Sequence, residues 1–501
     1  MERMSPQDAA FLYIEDENNP MHIGSVAVFE GPPPAYGDIV RMIASKLPLV
    51  PRYRQRVRFV PLGLGRPVWA DDPHFQILYH LRHSAVPPPG GREQLRNLAG
   101  RVMAQHLDRA KPLWEMWLVE GLEEGRWALI SKVHHCMVDG VSGTDLLTVI
   151  LDREPQPAPL PAVPAWSPEP ELGTARLLAD ALSDGVQSPV QRLQGLPALA
   201  GLLAQPGEQL ELLRSLAGSL LARPRQAVQS LNGPVGPHRR WSWADGSLEQ
   251  VKAVRQGLGG TVNDVVLAAI SRGFRDLLLE RGEPVEGRVV RTLVPVSVRT
   301  AAERGTFNNR VSGVFPELPV GIADPVERLE DIRQQMDGLK ESRQAVAGEA
   351  LTRMSGFAPA LLLDLGARLS ARLPQRLVQT VTTNVPGPQF PLYAVGRQLL
   401  EAYPYVPLGG QIRIAIAIFS YVGRLTFGVT GDFDTAPDIN VLCRGIEAGI
   451  AELVDVASAR PAPARGPASR DNRRRRRTRP ARPRAEADGR RAASRRRASA
   501  R

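Results

Sequence analysis

Apolar and polar positions follow two periods in the first 150 residues and then change character. Residues 22–29 (HIGSVAVF) and 127–133 (WALISKV) carry apolar side chains in alternating or continuous runs, and both predict strands. Between them, residues 36–47 and 92–107 place apolar side chains every three or four positions, which predicts helices. Residues 154–170 (EPQPAPLPAVPAWSPEP) are too rich in proline for regular helix or central strand and predict a linker. Leu/Ala-rich runs over 171–230, cut by Pro189, Pro197, Pro206 and Pro224, predict amphipathic helices crossing between two lobes. A second mixed region spans about 237–457. It predicts a helix over 261–281, a strand over 288–298, a helix near 325–343, strands over 411–419 and 424–430, and a last helix near 437–455. No internal repeat is present. The pattern reads as α/β, divided into an N-terminal lobe (1–153), a linker with crossover helices (154–236), a C-terminal lobe (237–458) and a tail (459–501).

The charge changes the picture only in that tail. The chain has 501 residues and a formal net charge of +11. Residues 460–501 hold 17 Arg against 3 acids, which leaves the preceding residues at −3. The body therefore offers no broad electrostatic footprint for nucleic acid, and no specific nucleic-acid partner is expected. The tail has almost no apolar bulk and predicts disorder. It reads either as a polybasic segment for an anionic membrane or as low-complexity sequence from GC-rich coding, since only 5 of the 63 basic residues are Lys. Two cysteines, Cys136 and Cys443, are too few for a disulfide framework and fit a reducing compartment. The N-terminus places acids where a secretion signal needs an apolar core, and no uninterrupted apolar window reaches spanning length. The expectation is a cytoplasmic protein, or one lying on a membrane without crossing it.

The most informative segment is residues 131–152, SKVHHCMVDGVSGTDLLTVILD. A strand ends at Val133 and delivers His134 and His135 to its carboxyl end. Asp139-Gly140 allows a tight turn, and Ser142 with Asp145 three residues on marks a helix start. The helix over 143–151 places Leu146, Leu147, Ile150 and Leu151 for burial. A rigid strand-to-helix junction thus presents an imidazole, whose ordinary pKa of about 6.5 suits proton transfer near neutrality. His135 is the candidate general base, and His134, on the opposite face if the strand persists, a supporting residue. The plainer alternative for such a pair is a satisfied structural histidine. Asp139 has two readings, as an orienting partner for His135 or, preferably, as a structural pair or turn cap. Cys136 is poorly placed for activation by its neighbour. No partner set for zinc accompanies the pair, so no metal is expected.

The segment HHCMVDG also resembles the HHxxxDG signature of the bacterial wax ester synthase/acyl-CoA:diacylglycerol acyltransferase family. Further blocks agree in order: SPQDAAFLYIEDENNPMHIG (5–24), KPLWEMWLVEGL (111–122), TVNDVVLAAI (261–270), VPVSVR (294–299), TTNVPGPQFPLY (382–393) and GDFDTAPD (431–438). Phe307-Asn308-Asn309-Arg310 departs from the family pattern, which has Gly before the second Asn. The resemblance implies two chloramphenicol-acetyltransferase-like lobes, as in peptide-synthetase condensation domains, meeting at a tunnel with the HHxxxDG loop at its midpoint. It implies a long-chain acyl-CoA donor, used as a substrate with no bound cofactor. The implied acceptor is diacylglycerol or a fatty alcohol, met at a membrane or lipid-droplet surface. A thioester is already activated, so one base and one oxyanion donor suffice for direct transfer. Alternatives are a relative acting on a polyketide or glycolipid hydroxyl, and a non-enzymatic lipid-binding protein.

The remaining motifs carry two readings each. Asn263 and Asp264 lie at a helix start, where Thr261 or Asn263 caps amides; as a substrate element, Asn263 would stabilise the reacting carbonyl. Trp114, in Pro112-Leu113-Trp114, is core packing or, on the resemblance alone, part of the tunnel. Asn384-Val385-Pro386-Gly387-Pro388 is foremost a turn. Arg299 is a solvated cation or a partner for a buried carboxylate or CoA phosphates. Gly140 allows close backbone approach. The sequence leaves acceptor preference, acyl length and oligomeric state open.

Overall fold

A computed structural model of the chain describes residues 2–137, 143–156, 166–171, 173–180, 228–297, 311–341 and 378–459. Residues Met1–Arg460 form one compact unit. The Pro-rich stretch 157–165, the crossover helices over 181–227, Phe307–Arg310 and the Arg-rich tail lie outside the described residues.

The N-terminal part runs β1 (Glu2–Arg3), α1 (Pro6–Ile14), β2 (His22–Phe29), α2 (Tyr36–Lys46), β3 (Gln55–Arg58), β4 (Val68–Asp71), α3 (Ile77–His80), β5 (Leu81–Ala85), α4 (Arg92–Ala104), β6 (Trp114–Glu120), β7 (Trp127–His134) and α5 (Gly143–Ile150). The C-terminal part runs β8 (Arg239–Ser247), α6 (Leu248–Leu258), α7 (Val262–Glu280), β9 (Val290–Ser297), β10 (Val311–Val314), β11 (Glu317–Leu318), α8 (Pro325–Glu341) and β12 (Thr380–Pro386). It continues with β13 (Tyr393–Ala394), β14 (Arg397–Tyr405), β15 (Ile414–Tyr421), β16 (Arg424–Asp432) and α9 (Ile439–Ala459).

The elements start where local chemistry says they should. Ser5 caps α1 by accepting the Asp8 amide, with Pro6 in the first turn. Thr261 and Asp264 form a reciprocal capping box at the start of α7. In β15 every residue is buried (Ile414–Tyr421), because helices cover one face of this sheet and the other lobe covers the other face.

The strands sort into two large sheets and a small one. The second sheet, ordered β10-β9-β12-β15-β16-β8 with β11 on β9, mixes parallel and antiparallel pairs. The first has the order β13-β14-β2-β7-β6-β5. One strand crosses between the two parts of the chain. Residues 393–405 belong to the C-terminal part of the chain, yet β14 pairs antiparallel with β2 and completes the N-terminal sheet. Strand 411–419 of the sequence reading sits about three residues further on, as β15, because the antiparallel register with β16 fixes its ends.

The lobes are joined by more than chain. An apolar cluster combines Val26, Leu98, Val102 and Met103 of the first lobe with Trp241 and Trp243 of β8 and Tyr403 and Tyr405 of the crossing strand. Gly428 on β16 lies directly under β14: a Cβ there would stand 1.7 Å from the carbonyl oxygen of Pro404. That same carbonyl accepts a 3.3 Å hydrogen bond from Trp241 Nε1. Gly428→Ala is therefore expected to destabilise the fold by about 1–3 kcal/mol or more, as overpacking against backbone that cannot yield. Urea unfolding of the two proteins, followed by tryptophan fluorescence, measures the difference.

Candidate functional site

The two histidines of HHCMVDG occupy different environments because the strand stops between them. β7 ends at His134, and His135–Met137 form a short 3-10 turn, so strand alternation does not carry on to His135. His134 stays in register opposite His22 on β2 and is 1% exposed. His135 is half-buried, its ring stacked on Phe11 of α1 with centroids 3.8 Å apart. Its backbone N–H donates to the Met21 carbonyl at 2.9 Å.

Beneath this turn lies a buried polar cluster. Glu15, at the C-terminal end of α1, has a side chain only 4% exposed. Its Oε2 faces His134 Nε2 at 3.4 Å and accepts from Arg109 Nε at 3.1 Å and Nη2 at 2.5 Å. Its Oε1 accepts the Met21 amide at 3.1 Å, with His22 Nε2 at 3.5 Å and His106 Nδ1 at 3.7 Å. Burial alone would raise the Glu15 pKa; the facing His134 and the hydrogen bonds from Arg109 outweigh it and hold the carboxyl well below the usual range. Burial, reinforced by Lys132, drives the His22 pKa well below its ordinary value, so His22 is neutral. Lys132 is itself pulled down to about 8 by burial, against Glu115 and Glu15. It caps α4 by donating to the carbonyls of Val102 and Gln105.

His135 carries a pKa lowered to about 4, by burial first and the neighbouring His134 next, with a backbone hydrogen bond acting in the opposite sense. At neutral pH the ring is an unprotonated imidazole, free to accept a proton. Cys136 is 1% exposed and its thiol is pushed well above its ordinary pKa by burial and by Asp8 and Glu15, so no thiolate nucleophile forms there.

The other residues singled out from sequence scatter. Trp114 is fully buried, donates to the Tyr53 carbonyl at 2.8 Å and stacks on His80 at 4.6 Å. Its ring is enclosed by core, with its N–H satisfied. Asp264 is spent on the capping box, its Oδ2 accepting the Thr261 amide at 2.7 Å. Asn263, the next residue back, is half-buried and has no hydrogen-bond partner among the described residues. Asn384 to Pro386 form the end of β12, not a turn, and β12 contacts α5; Gly387 follows so close to the Ser420 carbonyl that a Cβ would stand 2.1 Å from it. Asp139, Gly140 and Arg299 lie outside the described residues. Among the described residues, no group of three His, Cys, Asp or Glu side chains has the geometry to hold a metal.

Two cavities open between elements of the two lobes. One of about 470 Å³ lies between Asp16–Asn19 and Pro234, Val235 and Gly410, one residue beyond Glu15. One of about 210 Å³ is lined by Arg92, Trp243, Glu401 and Tyr403, and neither is lined by His135. Glu15, His22 and Arg109 were not legible as site residues: an acid after an amphipathic helix and a His in a strand carry no spacing signal of their own.

The profile of the family described as "wax ester synthase/diacylglycerol acyltransferase catalytic domain" matches residues 4–266, and that of the "WS/DGAT C-terminal domain" matches residues 307–454. A Mycobacterium tuberculosis protein named "probable diacylglycerol O-acyltransferase tgs1" is 34% identical over 473 residues, which cover 92% of this chain and 97% of the relative. Among solved structures, the wax ester synthase/diacylglycerol acyltransferase from Marinobacter aquaeolei aligns with a TM-score of 0.64 at 27% identity, over 91% of this chain and 100% of its own. The first condensation domain of the calcium-dependent antibiotic synthetase shares the fold, with a TM-score of 0.55 at 16% identity over 92% of this chain and 96% of its own.

The burial of Cys136 and Cys443 sets one expectation. Both thiols stay unreactive toward an aromatic disulfide reagent at neutral pH in the folded protein and react fully in denaturant. Release of the coloured thiolate, followed over time in each condition, checks it.

Proposed function

Because this chain belongs to the wax ester synthase/diacylglycerol acyltransferase family and is an acyltransferase, we propose that it moves a long-chain acyl group from CoA to the hydroxyl of diacylglycerol or a fatty alcohol, with His135 as the base. The observation that carries this is a neutral imidazole, half-buried on Phe11 at the end of a strand, with its backbone amide fixed on Met21.

The acceptor oxygen attacks the thioester carbonyl while His135 takes the hydroxyl proton. The tetrahedral adduct then collapses, the C–S bond breaks, and the imidazolium returns the proton to the departing CoA sulfur. The products are the ester and CoA, with no covalent enzyme intermediate. A pKa near 4 makes His135 a weak base, and it suits this sequence. The thioester is activated, so the proton needs to leave only as the hydroxyl becomes acidic in the adduct, and a weak base releases it readily to sulfur. Asn263 is the candidate polar stabiliser of the developing oxyanion, and Arg299 a candidate for CoA phosphates. The tunnel between the lobes that would bring donor and acceptor to His135 belongs to this same reading. Transfer to another hydroxyl, polyketide or glycolipid, is the second reading.

The acceptor is a lipid, and one loop suits a lipid surface. Among the described residues no helix is long and apolar enough to cross a membrane. Between β3 and β4, however, the chain runs Phe59-Val60-Pro61-Leu62-Gly63-Leu64-Gly65 without a charge, flanked by Arg58 and Arg66. Leu62 is 85% exposed, Leu64 50% and Phe59 42%. Leu62 also sits at φ 59°, a conformation costing a bulky L-residue about 1–2 kcal/mol. An exposed leucine in a strained backbone gains nothing inside this molecule and gains burial in a phospholipid surface. This peripheral contact is the proposed means of meeting the acceptor; the Arg-rich tail is a second candidate for it on anionic lipid.

Four outcomes are expected. Purified protein with palmitoyl-CoA releases CoA when offered dioleoylglycerol or hexadecanol; no release with either lipid removes the acceptor assignment. His135→Ala lowers kcat by about 10²–10⁴-fold with an unchanged melting temperature. In the wild type, kcat/KM is level through the neutral range and falls as pH drops through about 4, where the base becomes protonated; a limb near 6.5 would contradict the burial of the ring. Finally, Leu62→Asn with Leu64→Ser weakens flotation with neutral phosphatidylcholine vesicles about tenfold, where the basic tail contributes little. Equal flotation of variant and wild type would rule the loop out.

A further inference from the structure

The proton chemistry proposed for His135 requires its ring to stay where the turn puts it, and the turn has no regular secondary structure to hold it. Two backbone groups flank the ring. The His135 N–H is bound by the Met21 carbonyl, and the Cys136 N–H donates to His134 Nδ1 at 3.1 Å. Both of those acceptors lead to one carboxylate. Met21 is fixed through its own N–H on Glu15 Oε1, and His134 presents its other nitrogen, Nε2, to Glu15 Oε2. Because Nδ1 accepts the Cys136 N–H, the ring hydrogen sits on Nε2, the nitrogen that faces Glu15 Oε2 at 3.4 Å. Phe11, which stacks on His135, is on the same helix that ends at Glu15.

We infer that Glu15 is a positioning residue for the transfer reaction: its carboxylate pins the backbone on both sides of His135, through Met21 on one side and through the tautomer of His134 on the other. The inference rests on the reading of His135 as the base. Arg109 supplies the charge that keeps Glu15 ionised while buried, with two hydrogen bonds to Oε2. His22 and His106 complete the shell around Oε1, and Lys132 lies nearby with its ammonium turned to the α4 carbonyls. Glu15 does not touch the His135 ring, so it acts through geometry and takes no proton in the reaction.

Glu15→Gln separates the two arms. The amide oxygen still accepts the Met21 N–H, but the NH₂ group faces two donors, His134 Nε2–H and Arg109, and cannot replace the carboxylate. Removing one arm loosens the turn, and a misplacement on the ångström scale costs on the order of 10²-fold in rate. The full-length protein is assayed with palmitoyl-CoA and hexadecanol as wild type, Glu15→Gln, His135→Ala and the double variant. The expected result is that Glu15→Gln lowers kcat by about 10²-fold while KM for palmitoyl-CoA stays within about threefold. In the His135→Ala background the same change adds less than about twofold, because a residue that acts by placing His135 has nothing left to place. The acid limb of the Glu15→Gln pH profile stays where the wild type has it.

Full multiplication of the two penalties would overturn the inference, since a general loss of structure is indifferent to His135. So would a raised KM with kcat intact, which would put Glu15 against substrate. If His135→Ala abolishes turnover and Glu15→Gln does not, the positioning role fails alone. If His135→Ala leaves turnover intact, the base assignment fails and the inference goes with it. The Gln variant is near-isosteric, and its thermal melt alongside the wild type shows whether the fold is retained.

Discussion

A carboxylate buried between a helix and two strands is the constraint around which the first lobe is arranged. Moving such a group out of water costs several kcal/mol even after relaxation, so Glu15 can remain ionised only if charged and polar partners converge on it. They come from well-separated stretches of chain: Met21 just before β2 and His22 at its start, His106 and Arg109 after α4, and His134 at the end of β7. Satisfying one charge therefore fixes the relative placement of α1, the β2–β7 pair and the loop after α4. The carboxyl end of β7, where His135 stands, inherits that rigidity.

The second constraint is at the junction of the lobes. β14 leaves the C-terminal half to pair with β2, so the two sheets cannot separate without breaking a ladder. Small residues make the approach possible. Gly428 admits the Pro404 carbonyl, and Gly100 on α4 admits the Arg239 carbonyl, where a Cβ would stand 2.8 Å away. Trp241, Trp243 and Tyr403 fill the remaining space, with Arg96 over the Trp243 ring at 4.3 Å. The apolar contact is large and continuous, in keeping with a single compact unit from Met1 to Arg460.

The ionisation of His135 is set by the same burial that holds the lobe together. Its low pKa and the suppressed ionisation of Cys136 have one cause, removal from water, acting in opposite directions on a base and an acid. The turn therefore sets a neutral imidazole beside an inert thiol.

Much of this was legible in the chain. Periodicity placed β2, β7, α2, α4, α7 and the final helix to within a few residues, because each buries one face and must repeat apolar side chains to do so. The spacing in HHCMVDG singled out the turn after β7, and ordered blocks along the sequence pointed to the family. What the sequence could not determine depends on partners distant in the chain. Trp114 is core because His80 and Tyr53 close over it, and Asp264 serves its own helix start. The crossing of β14 is a register choice between strands more than 350 residues apart. Glu15 became meaningful only when folding brought three histidines and an arginine to within 4 Å of one carboxylate. Local pattern encodes which face of an element is apolar; which polar side chains meet inside is decided by tertiary packing, since a buried charge is stable only where all of its partners arrive together.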